Sequence, residues 1–136
     1  MAPAEQHLSE NVENYLEHIL RISKKHGSAR TGEVAKAMGV APSSTTEMLV
    51  KLEKMGFLKY DKYHGAELTE EGYFRALSVL KKHNLAQRFL EEVVGMDHDA
   101  AHEWGCRMEH VLPPELEEWF YKQLMERDRK QGRAEP

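Results

Sequence analysis

The sequence predicts a mainly α-helical protein in two domains: a winged helix-turn-helix over residues 1–72 and an all-helical domain over residues 73–136. Three observations carry that expectation. Two short helical patterns meet at Gly39 and are followed at once by two short strand patterns, the order of a helix-turn-helix with a wing. Positive charge is concentrated in the same half: between Leu20 and Gly65, nine Lys and Arg stand against four acids, a net +5, in a chain whose total is −4. Finally, His102, Cys106, Glu109 and His110 stand at i, i+4, i+7 and i+8, which is one face if that stretch is helical.

Bulk composition sets the frame. An apolar fraction of 40% and a charged fraction of 31% over 136 residues describe an ordinary soluble globular protein. No apolar run approaches the ~20 residues of a membrane span, and the opening Met1-Ala-Pro-Ala-Glu-Gln-His does not read as a signal peptide, so the expected location is the cytoplasm. One cysteine excludes an internal disulfide and leaves Cys106 as a small buried residue, a ligand or a reactive thiol.

Taken in order, the first helix is expected to start near Ser9, with Val12, Tyr15, Leu16, Ile19 and Ile22 as its apolar stripe and His26-Gly27-Ser28 as its end. Thr31–Met38 reads as a short helix, Gly39-Val40-Ala41 as a tight turn, and Pro42-Ser43-Ser44-Thr45-Thr46 as the start of a third helix ending at Gly56. Phe57–Tyr60 and Ala66–Leu68 read as strands around a basic tip carrying Lys62 and His64. Thr69-Glu-Glu-Gly72 opens a long helix through Leu77, Leu80, Leu85, Phe89 and Val93 to Gly95. The Cys106 helix follows and ends at Pro113-Pro114, which also start the last helix, with Leu116, Trp119, Phe120 and Leu124 on one side and a frayed end from Arg127 onward. Trp104, Met108, Trp119 and Phe120 are expected in the core or at a dimer seam.

The hydroxyl-rich start of the third helix suits an element that enters a major groove. Ser43, Ser44, Thr46 and Glu47 are the candidates for base edges or phosphates, and Lys51, Lys62 and Arg30 for phosphate contact. In the second domain, a thiolate beside imidazole and carboxylate suits Fe(II), Co(II), Ni(II) or Zn(II) better than Mg or Ca, which want an oxygen shell. A basic module joined to an acidic one fits a nucleic-acid reader coupled to a cation sensor. Two other classes stay open. A metal-independent winged-helix regulator would leave the Cys106 face without a ligand. A metallohydrolase would use Glu103 as a base, but no His-Glu-x-x-His or phosphate-cradling glycine loop supports one.

From about residue 9 to residue 125 the chain resembles the diphtheria toxin repressor and manganese transport regulator family of metal-dependent repressors. The carrying motifs are Glu13-Asn-Tyr-Leu-Glu17, Pro42-Ser43-Ser44, Lys82–Leu90 and, most specifically, His102-x-x-x-Cys106-Arg-x-Glu109-His110. The resemblance implies a homodimer that represses metal-uptake genes by binding double-stranded operator DNA, in the two-domain form without an SH3-like domain. It implies no enzymatic activity. It assigns Cys106, Glu109 and His110 to a primary metal site, His83 and His102 to an ancillary one, and Asn14 or Glu17 as the first-helix ligand. Metal would join that helix to the Cys106 helix and fix the dimer for its operator. Cys106 stands where iron-responsive members have cysteine and manganese-responsive members usually have a carboxylate, which favours Fe(II) over Mn(II). Asn14 and Gln87 depart from the residues usual at their positions.

Overall fold

The computed structural model describes residues 8–132. Its first helix, α1 (Glu10–His26), begins where the Ser9 hydroxyl accepts the Val12 amide hydrogen at 3.2 Å, satisfying one of the donors a helix start leaves open. Val12, Tyr15, Leu16, Ile19 and Leu20 are buried along one stripe, while Ile22 is half-buried. Gly27 ends the helix at φ 86°, a conformation that favours glycine.

α2 (Thr31–Met38) and α3 (Pro42–Lys54) follow, separated by a turn in which Gly39 is left-handed at φ 69°. Val34 and Ala35 on α2 and Thr45, Leu49 and Leu52 on α3 are buried, and α2 packs on both α1 and α3. β1 (Leu58–Asp61) and β2 (Gly65–Leu68) pair antiparallel, with Leu58 opposite Leu68 and Asp61 opposite Gly65. The strands run one residue differently from the sequence expectation. Phe57 is spent on a buried side chain next to the helix end, and Asp61 and Gly65 pair across the tip.

A third segment joins this hairpin. Ala29 and Ala66 exchange both backbone hydrogen bonds, at 2.7 and 3.0 Å. Gly65 makes that approach feasible, since a Cβ there would stand 2.5 Å from the Ala29 carbonyl oxygen. The hairpin is thus fastened to the turn between α1 and α2, which is the architecture of a winged helix.

Compactness divides the chain into a unit ending at Ser78 and one beginning at Val79. α4 (Glu70–Phe89) runs across that division and widens into a π-helical turn at Leu90–Val94, closed by Gly95 at φ 85°. The single long helix expected through Val93 is therefore α-helical only to Phe89. α5 (His98–Met108) is capped by Asp97, whose carboxylate accepts the Ala100 amide at 2.9 Å. It stops short of the expected end at Pro113: the Glu109 amide still bonds the Gly105 carbonyl, but Val111 turns back to Met108.

α6 (Pro114–Lys130) is longer than the sequence suggested. Residues 127–130 remain helical because Asp128, 1% exposed, is bound by the Arg88 guanidinium, which also holds Glu92. Phe89 stacks on Phe120 with centroids 4.1 Å apart, and Ala86, Leu90, Ala101, Leu112 and Leu124 fill the interior of this unit. Trp104 and Trp119 are exposed within the chain, as are Val111 and Leu116.

Candidate functional site

Two helix faces define the polar interior of the second unit. His83 and Gln87 stand one turn apart on α4, with Glu91 a turn further in the π-helical segment. His98, His102 and Cys106 repeat the same spacing on α5. Gly105 lets the faces meet: a Cβ there would lie 3.3 Å from the Gln87 Cβ and 3.4 Å from the His83 carbonyl oxygen. A larger residue would press the two helices apart at the level of the histidines.

His83 is 2% exposed, with a polar group close to each ring nitrogen. Its Nδ1 lies 2.9 Å from the Glu109 carboxylate, itself 2% exposed, and its Nε2 lies 3.0 Å from Gln87 Oε1. The same Gln87 oxygen lies 3.2 Å from His102 Nδ1, while His102 Nε2 lies 3.7 Å from Cys106 Sγ. The two imidazoles meet edge to face with centroids 4.9 Å apart. His83, His102 and Cys106 each offer a ligand atom within 4.8 Å of the other two. The second Glu109 oxygen stands 3.2 Å from Nε2 of His110, whose side chain is 3% exposed. Two imidazole nitrogens and a sulfur at this spacing fit a transition metal and do not suit Mg or Ca.

Of the residues singled out in the sequence, the second unit thus groups Cys106 with His102 and His83, and Glu109 with His83 and His110. Asn14 and Glu17 belong to the first unit. Asn14 is half-buried; Glu17 is buried and lies 2.7 Å from the Arg21 guanidinium. His98 was not among the candidates. It lies 2.6 Å from Glu91 and 3.4 Å from Gln87 Nε2, extending the polar seam by one turn. The four-residue spacing His98, His102, Cys106 was the signal that could have found it.

In the first unit, Ser43, Ser44, Glu47 and Lys51 are exposed on α3. Thr46 differs: it is half-buried and its hydroxyl donates to the Pro42 carbonyl at 3.0 Å, so its hydrogen is already committed. Val50 is 37% exposed on α3, three residues after Glu47. Arg30 is exposed at the start of α2, its amide donating to Glu33. At the wing, Lys62 is exposed with its ammonium 6.0 Å from the Tyr63 ring. Asp61 orders this tip by accepting the Tyr63 and His64 amides at 2.7 and 3.0 Å. Those backbone hydrogen bonds, Tyr63's first, hold its carboxyl below the ordinary value.

Two family models match the chain one after the other. Residues 7–66 match the family model described as iron dependent repressor, N-terminal DNA binding domain. Residues 69–133 match the model described as iron dependent repressor, metal binding and dimerisation domain. An uncharacterised HTH-type transcriptional regulator of Methanocaldococcus jannaschii is 38% identical over 110 residues, covering 80% of this chain and 88% of that protein. The HTH-type transcriptional regulator MntR of Lysinibacillus sphaericus is 34% identical over 102 residues, covering 75% of this chain and 73% of its own length. Among solved structures, the manganese regulator SloR superposes with a TM-score of 0.72 at 29% identity. The match covers 86% of this chain and 54% of SloR, so this chain spans about half of that protein. No helix among the described residues is long and apolar enough to cross a membrane.

Proposed function

The chain belongs to the iron dependent repressor family, whose members are metal-dependent, DNA-binding transcriptional regulators, and from that premise we propose that it is a homodimeric repressor of metal-uptake genes activated by Fe(II). The observation that carries the reading is the His83, His102 and Cys106 grouping in the unit matched by the metal-binding model. A thiolate among the donors favours Fe(II) over Mn(II) by ligand softness. The Mn(II) reading has its own support, because SloR, a relative of solved structure, is a manganese regulator.

The first unit supplies the reader. Ser43, Ser44 and Glu47 at the exposed start of α3 are placed for base edges or phosphates, and Arg30, Lys51 and Lys62 for the phosphate backbone. In the second unit the exposed apolar residues Trp104, Val111, Leu116 and Trp119 are candidates for contact with a second copy. A twofold dimer must match half-sites about one or more ~34 Å helical turns apart. The bound metal supplies positive charge among anionic groups. In this reading Cys106, Glu109 and His110 would hold it, with His83 and His102 as the neighbouring ligand candidates and Asn14 or Glu17 as the first-helix candidates, which Asn14→Ala and Glu17→Gln variants separate. Each ~1.4 kcal/mol by which the metal prefers the DNA-competent arrangement shifts the equilibrium tenfold.

The test is anaerobic fluorescence anisotropy on the DNA upstream of the chain's own gene, with chelator, Fe(II), Mn(II) and Zn(II) in parallel. Tight binding only with metal, strongest with Fe(II), is the expected result. Equal binding in chelator would overturn metal activation, and a preference for Mn(II) would overturn the choice of iron.

A further inference from the structure

We infer that Tyr60 is the positioning residue of the wing: it ties β1 to α2 through its hydroxyl and to α3 through its backbone, so that the hairpin and the exposed start of α3 meet DNA as one surface. This deepens the reading that the first unit binds DNA with both elements, and it gives work to Thr31, Glu53 and Tyr60, none of which was a candidate from the sequence.

The strand register decides where the Tyr60 backbone points. Ala66 spends its N–H and C=O on Ala29, at 2.7 and 3.0 Å, so neither is left for the strand opposite. Tyr60 faces Ala66 across the hairpin. The two are therefore a non-hydrogen-bonded pair, and the Tyr60 N–H turns outward along the open edge of β1. An edge N–H needs a partner or water. Here the Glu53 carboxylate, in the last turn of α3, accepts it at 2.7 Å, the length of a charge-assisted bond. A carboxylate beside a hairpin that approaches phosphates would by its charge alone weaken binding. Holding Tyr60 gives it a reason to be there.

The side chain makes the second tie. Tyr60 Oη lies 3.0 Å from the hydroxyl of Thr31, the first residue of α2, and both residues are half-buried. A tyrosine side chain carries its rigid ring on two rotatable bonds, so fixing its hydroxyl fixes the strand beneath it.

β2 is fastened separately. The Ala29–Ala66 bridge holds it to the turn between α1 and α2, and the Ser28 hydroxyl donates to the His64 carbonyl at 2.9 Å. Tyr60 supplies the tie on the β1 side, next to the exposed cations Lys59 and Lys62. A hairpin free to swing would spend binding energy on being ordered by DNA, and one already held in place avoids that cost.

The experiment is anaerobic fluorescence anisotropy of the full chain on its upstream DNA, in the metal that wild type prefers and over a range of salt, beside amide hydrogen exchange on the free protein. Glu53→Ala and Glu53→Gln each remove one negative charge, but glutamine keeps a side-chain oxygen for the Tyr60 N–H. Glu53→Ala should therefore bind roughly 3–10-fold more weakly than Glu53→Gln, the worth of one hydrogen bond, and Tyr60→Phe should lose a similar factor against wild type. The Tyr60 amide should exchange slowly in wild type and in Glu53→Gln and fast in Glu53→Ala, with the Ala66 amide unchanged. A tie that merely stabilised the fold would not alter what Lys62 does on DNA, so the deciding sample is Lys62→Ala in the Tyr60→Phe background. There the loss of salt slope that Lys62→Ala causes in wild type, about one unit, should shrink to a fraction. Equal binding by Glu53→Ala and Glu53→Gln would overturn the inference, as would a Tyr60 amide equally fast in wild type and Glu53→Ala, or the full slope loss in the double variant. An unchanged slope for Lys62→Ala in wild type would overturn both the inference and the wing contact of the proposed function. Equal wild-type binding in chelator would overturn metal activation alone.

Discussion

In the helix-turn-helix unit the side chains without exposure are Val34, Leu49, Leu52 and their hydrocarbon neighbours, with Phe57 at 1%. In the helical unit His83, Glu109 and Asp128 share that depth with Leu124. Buried polar residues occur in the first unit too, but Thr45 is neutral and donates to the Ala41 carbonyl, and Glu17 lies against Arg21. Hydrocarbon burial stabilises by roughly 25 cal/mol per Å² and asks nothing of a ligand. A buried imidazole and carboxylate cost several kcal/mol to desolvate unless they are well partnered. The core of the first unit therefore asks nothing of a ligand. The second holds a pre-arranged polar interior that makes sense where an ion is to be taken up.

The largest effect that tests the contrast is a core deletion in the reader. Phe57→Ala should lose about 3–5 kcal/mol in urea unfolding, the range for truncating a large buried aromatic side chain. The loss should be the same in chelator and in Co(II); a loss that metal repaired would mean the reader's core is not independent of the ion. Next comes the ion itself. At a free concentration about 100-fold above Kd, Co(II) should add about 2.7 kcal/mol to the unit that binds it. Thermal unfolding of wild type against Cys106→Ser reads this directly, and equal stabilisation of both would place the ion away from the thiol.

Within the helical unit the contrast sharpens again. Arg88 binds Asp128 and Glu92, and these contacts keep its guanidinium's pKa above the ordinary value, Asp128 contributing most. Arg88→Met keeps much of the stem but leaves a buried carboxylate without that charge, at about 2 kcal/mol. The last turn of α6 should fray first, seen as faster amide exchange at residues 127–130. Unchanged exchange there would mean that the hydrocarbon contacts, not the ion pair, hold the helix end.

What the sequence made legible follows the same division. Each element of the reader was legible, its strands to within one residue, because its signals are local: Ser9 at a helix start and Gly39 at a tight turn. The second unit was readable in its residue types but less so in its ends. α5 stops at Met108 in a local turn, and α6 continues to Lys130 through a contact distant in sequence, Arg88 with Asp128. The ligand-type residues stood out by spacing, yet their grouping did not. Helical periodicity puts Cys106, Glu109 and His110 on one face, but it cannot show that Gly105 brings α4 close enough for His83 to stand between Glu109 and the Cys106 pair.

A smaller effect probes how the reader meets its partner. Lys62 is exposed beside the wing tip, and loss of one phosphate contact should reduce the slope of log affinity against log salt by about one unit. Lys62→Ala with an unchanged slope would remove the wing tip from the footprint and leave α3 to carry it.

The smallest effect concerns the order of that tip before any DNA is bound. The Tyr63 and His64 amides donate to Asp61, and their bonds lower its pKa from the ordinary 3.8. A carboxyl whose folded value lies below its unfolded value contributes stability that is fully present above the unfolded value, and the contribution is lost as pH falls through the folded one. At neutral pH that contribution is therefore fully present, and acid removes it. The carboxylate is fully exposed, so the change should be local: the Tyr63 and His64 amide resonances titrate with a midpoint below 3.8 while the buried hairpin residues Leu58 and Ala66 stay unshifted. A midpoint at or above 3.8 would show that the two amides do not hold the carboxylate in solution, and the wing would then owe its shape to the Ala29–Ala66 bridge and the strand pairing alone.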